Sequence, residues 1–139
     1  MSKWETPLTE RYWREVGGTL IAEFPAVLRG TDKARRLLDA VILPDEPFER
    51  RYASEVDLQG KEVIVVQTKA RRLGMPVMGQ ALFSARLIEA FGPASIRSVV
   101  ICTKGDSVLE PLLAEYGLEL VVYEDAQQDH AADARTSRG

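Results

Sequence analysis

The sequence predicts an α/β layered domain, and three observations carry that prediction. Short apolar runs rich in Val, Ile and Leu are closed by turn residues, as strands are. Between the later runs, apolar residues recur at helical spacing. The resulting order is helix, three strands, helix, strand, helix, strand, which lets the first strands form a meander and the later ones join through helical crossovers. At 139 residues with 45% hydrophobic content the chain suits a single domain over residues 1–123, followed by a polar, alanine-rich tail over 124–139 expected to be disordered.

Thr6 and Pro7 suit the start of a helix, the hydroxyl as cap and the proline at the first helical position. Tyr12, Val16, Leu20 and Glu23 follow at intervals of four, four and three, so the expected buried stripe ends in a carboxylate. Two outcomes stay open there: a helix carrying Glu23 inward, or one that frays after Gly17-Gly18 and turns Glu23 to water. Residues 24–28, with Pro25, suit a short edge strand. After the basic turn 29–36, residues 37–43 form an apolar strand interrupted by Asp39. Residues 44–47 are a turn and 48–59 a loop or short hairpin closed by Gly60. The run from Glu62 is the central strand. A helix over 76–91 buries Met78, Leu82, Ala85, Ile88 and Phe91 and stops at Gly92-Pro93. A strand over 96–103, a helix over 107–116 ended by Gly117, and a strand over 118–123 complete the order.

Composition excludes several chemistries. No apolar run is long enough to span a bilayer, and the N-terminus lacks the apolar centre of a signal peptide, so a soluble, cytoplasmic protein is expected, with no membrane partner. The single cysteine, Cys102, lies in an apolar strand and suits a core position. The one histidine, His130, falls in the tail, so neither a His/Cys zinc site nor a Ser-His-Asp triad has its parts. No phosphate-binding glycine loop is present. Trp4 and Trp13 suit helix packing, and Met75 and Met78 the core. A net charge of −3 argues against coating nucleic acid by bulk charge. Basic residues nonetheless cluster twice, as Arg29, Lys33, Arg35 and Arg36 before one strand and as Lys69, Arg71 and Arg72 after another, either lining one cleft or forming a solvated rim.

Four residues remain unusual: Glu23, Asp39, Gln67 and Lys69. On the central strand Val63, Val65, Gln67 and Lys69 share one face. An amide and an ammonium at the end of such a strand need a partner, a function or an early exit to water. If Asp39 and Gln67 lie in register on adjacent strands, their oxygens can share a hard divalent cation, with Lys69 beside its water. Arg36 is placed either to contact a phosphate or to pair with Asp39.

These residues resemble the PD-(D/E)XK nuclease superfamily: an acid on the first helix, Asp39 on a strand, Gln67-Thr68-Lys69 at the end of the next, and Met78-Gly79-Gln80-Ala81 opening a helix. The Gln-x-Lys form is similar to the variant of Mrr-like restriction endonucleases. The likeness spans residues 10–123. It implies a restriction endonuclease-like three-layer fold and a DNA endonuclease using Mg2+ or Mn2+. Asp39 and Gln67 are then the metal ligands, Lys69 the group that orients water or steadies phosphate charge, and Glu23 a helical carboxylate near the metal. Arg36, Arg71, Arg72 and Gln80 are then contacts to the substrate. Asp45 and Glu15 are rival acids, set aside because one lies in a turn and the other on a solvent-facing side of the helix. Target choice would come from a homodimer or a separate recognition protein. The alternative is a nuclease-like module without chemistry that binds nucleic acid or a protein.

Overall fold

The computed structural model describes residues 1–126. It holds α1 (Glu5–Val16), β1 (Thr19–Val27), β2 (Arg36–Leu43), β3 (Glu49–Arg50), β4 (Glu62–Arg72), α2 (Met75–Glu89), β5 (Ser95–Lys104), α3 (Glu110–Glu115) and β6 (Leu118–Val122). The strands form one mixed sheet in the order β3-β1-β2-β4-β5-β6. The pairs β1/β2 and β2/β4 are antiparallel, while β4/β5 and β5/β6 are parallel. The meander and both helical crossovers are therefore as the sequence predicts, and the segment read as a loop or short hairpin holds no hairpin but a two-residue strand, β3, parallel to β1.

Alternation along the strands sorts the core into two layers. On one face Leu8, Tyr12 and Trp13 of α1 pack on Leu20, Ala40, Ile42, Ile64, Val66, Val99 and Ile101. On the other, Ile88 of α2 meets Ile21, Val41, Val63 and Val65, and Val77 and Ala81 meet Val100 and Cys102. Each such aliphatic side chain contributes about 1.5–3 kcal/mol on burial, so the layers flanking β4 and β5 dominate the cohesion of the domain. Cys102 is fully buried and its thiol is pushed up by burial, which suits the core position expected of it.

Several boundaries differ from expectation. Helix α1 ends at Val16, because Gly17 and Gly18 both adopt positive φ, and a Cβ on Gly18 would lie 2.2 Å from the Leu43 carbonyl oxygen. The chain then enters β1, so Leu20 and Glu23 belong to a strand and the carboxylate is not helical. On α2 the buried residues are Val77, Ala81, Ser84 and Ile88, one position away from the predicted stripe except at Ile88; Met75 and Phe91 are exposed. Residues 124–126 form a helical turn in which Asp125 accepts two hydrogen bonds from Arg11 and Ala126 packs on the core, so the tail begins docked. The rest of the tail, with His130, lies outside the described residues.

Candidate active site

The site begins where two strands part. The β2/β4 ladder ends at the pair Ala40↔Val66, yet β2 runs on to Arg36 and β4 to Arg72. A backbone N–H released at such a fork needs another acceptor. Asp39 provides it, its Oδ2 accepting from the Thr68 N–H at 2.8 Å. The next residue toward the opening, Gln67, is buried, and its Nε2 donates to Ser84 Oγ of α2 at 2.9 Å. With the nitrogen committed, the carbonyl oxygen is the end of that amide able to hold a ligand.

Asp39 and Gln67 line one cleft of about 360 Å³ with Arg36, Gln80, Phe83 and Ser84. The structure thus brings together both expected ligands, one expected cation and the expected helical glutamine. Desolvation pushes the Asp39 carboxyl up; the Thr68 N–H and the N-terminal ammonium pull it back in part, while Glu5 and Glu23 add to the rise. No cation lies within ion-pair distance of this carboxylate among the described residues, which also separates Arg36 from it. A half-buried acid destabilised by its own charge is a place where a cation is welcome.

The other expected residues are placed differently. Lys69 is exposed on β4, two positions beyond Gln67 and on the same side of the strand, but does not line the cleft. Glu23 stands opposite Asp39, since the register steps from Ala22↔Ala40 to Phe24↔Leu38. It is the one described non-glycine residue at positive φ (52°), and its Oε1 accepts from the Met1 ammonium at 2.9 Å. Strain of this kind, on the order of 1–2 kcal/mol, persists where surrounding structure imposes it. Arg71 is exposed at the far end of β4, and Arg72 lies 4.0 Å from Asp106, so neither reaches the cleft. The rival acids are elsewhere: Asp45 follows the opposite end of β2, and Glu15 accepts from the Tyr123 hydroxyl at 2.9 Å.

Two residues of the site were missed in the sequence. Ser84, which anchors Gln67, is the one hydroxyl among the buried residues of α2, and its i, i+4 spacing from Gln80 is the signal that places both on one side. Glu5, in the first turn of α1, accepts from the Ala70 N–H at 3.5 Å. Burial pushes its carboxyl up, but hydrogen bonds from Ser2 and Ala70 and the charge of Lys69 outweigh that, leaving it below the usual carboxylate range. Nothing in the sequence distinguishes Glu5 from an ordinary first-turn acid.

Among the described residues no three His, Cys, Asp or Glu side chains converge as a ready-made metal group. The donor set is sparser: one carboxylate, one amide oxygen and solvent. That set fits magnesium, which is held by one or two carboxylates and keeps several waters. No helix of the described residues is long and apolar enough to cross a membrane. Compared with known proteins, the chain matches no family model, no curated protein and no solved structure.

Proposed function

We propose that the chain is a divalent-metal-dependent endonuclease that hydrolyses DNA phosphodiester bonds, with a restriction endonuclease-like fold of the Mrr-like PD-(D/E)XK type. The observation that supports this reading above all is that Asp39, half-buried and without an ion-pair partner among the described residues, lines one cleft with Gln67 at the β2/β4 fork.

In this reading Asp39 and Gln67 hold Mg2+ or Mn2+, whose bound charge supplies Lewis acidity toward a phosphoryl oxygen and makes a water more acidic. The residues do the rest. Thr68 N–H fixes the Asp39 carboxylate, Ser84 fixes the Gln67 amide, and both arrive preorganised on strands rather than loops. Lys69 offers an ammonium to the charge that develops on the phosphate. Arg36 and Gln80, at the cleft mouth, bind the strand on either side of the reacting group. Glu5, near Lys69, adds negative charge that favours a cation there, while Glu23, opposite Asp39, is paired with the Met1 ammonium. Arg71 and Arg72 are assigned no role.

The test is cleavage of supercoiled plasmid DNA with Mg2+ or Mn2+. Asp39→Ala and Lys69→Ala are each expected to lower the rate by about 100-fold or more; undiminished cleavage in both rejects the assignment. A second reading, a nuclease-like module that binds nucleic acid or protein without cutting it, is favoured by the neutral Gln67 in a two-residue ligand set. It predicts DNA binding with no divalent-dependent cleavage by the unmodified chain.

A further inference from the structure

The cations of this protein are distributed in an uneven way. Arg11, Arg50, Arg51, Lys61, Arg72, Arg86 and Arg97 each lie within 4.0 Å of a carboxylate. Nine other Lys and Arg side chains have no ion-pair partner among the described residues, and four of the nine fall together in the connection between β1 and β2. It closes as a tight hairpin, with Gly30 N–H donating to the Lys33 carbonyl at 3.0 Å. Residues 28–36 carry Arg29, Lys33, Arg35 and Arg36 against one acid, Asp32, in a chain of net charge −3. All four cations are exposed, and none has an ion-pair partner among the described residues.

Position adds to charge. Arg36 belongs to the cleft lining, and β2 runs unbroken from it to Asp39. At about 3.3 Å per extended residue, Arg36 lies about 10 Å along the chain from Asp39 and Lys33 about 20 Å. A DNA strand presents one phosphate per 3.4 Å of helix axis, so that reach corresponds to about three to six nucleotides.

We infer that the β1–β2 hairpin is a grip for the phosphate backbone of duplex DNA, lying to one side of the cleft and carried by Arg29, Lys33, Arg35 and Arg36. The choice of DNA rests on the nuclease reading above, whereas the polyanion contact rests on the hairpin alone. Its recognition is of charge and not of bases, so binding is tolerant of sequence and weakens steeply with salt.

The experiment is fluorescence anisotropy of a labelled DNA duplex against the full chain over a series of salt concentrations. The variant Arg29→Gln/Lys33→Gln/Arg35→Gln/Arg36→Gln is expected to bind about tenfold or more weakly and to lose about 3–4 from the slope of log K against log salt, near 0.9 per phosphate contact. Arg86→Gln, which removes a cation from the exposed side of α2, is expected to keep the slope. A circular dichroism spectrum matching the parent shows that the exposed hairpin changes left the fold intact. An unchanged slope in the fourfold variant, or no salt-dependent binding by the parent chain, overturns the proposal. A drop in slope in a protein that does not cut DNA upholds the grip while removing the nuclease reading.

Discussion

Asp39 is pulled two ways. It caps a backbone N–H at the end of a ladder, which stabilises the fold, and it carries a charge into a half-buried place, which does the opposite. Because desolvation raises its folded pKa, the folded chain holds that proton more tightly than the unfolded chain. Stability therefore falls as pH rises from the unfolded value through the folded one, and stays lower above it. Asp39→Asn keeps an oxygen for Thr68 and discards the charge. It is expected to raise the melting temperature at neutral pH, to lose that advantage as pH drops below the ordinary aspartate range, and to abolish divalent binding. Melting curves of both proteins across pH check this; a lower melting temperature for the variant at neutral pH would contradict it. Polar residues inside apolar strands made Asp39 and Gln67 legible in the sequence. Ser84 and Glu5 were not, because a hydroxyl on a helix and an acid in a first turn are commonplace until a partner is seen.

At the level of elements, the decisive feature is the Gly17-Gly18 break. Hydrophobic spacing continues from Tyr12 through Val16 to Leu20, so periodicity carries the helix too far. The physical stop is steric: Gly18 has φ +83° and lies against the Leu43 carbonyl, while its own carbonyl accepts from Trp13 Nε1 at 2.7 Å. Gly18→Ala would impose both the left-handed strain and a clash with backbone, and is expected to destabilise the fold by about 3 kcal/mol or more. A denaturant titration measures it; a loss under about 1 kcal/mol would show that α1 and β1 are not locked in this way. The same break moves Glu23 onto β1. There its position opposite Asp39 was hidden from the sequence, since cross-strand register depends on the partner strand. The later elements were more legible, because β4-α2-β5-α3-β6 alternates strand and helix and a positive-φ glycine, Gly92 or Gly117, follows shortly after each helix.

For the molecule as a whole, one topological fact organises the rest. An antiparallel meander and a parallel crossover unit share β4, and the sheet opens on the meander side where β2 leaves it. The cleft, the placing of Asp39 and Gln67 along it, and the basic hairpin all stem from that fork. Chain order and strand length made the sheet readable from sequence, whereas the fork and the two-residue β3 depend on contacts between distant segments. If the fork is a cation site, a crystal of the protein soaked in Mn2+ should show an anomalous peak within ligand distance of both the Asp39 carboxylate and the Gln67 carbonyl oxygen. Manganese that binds elsewhere, or leaves that cleft with water alone at saturating concentration, would contradict the account.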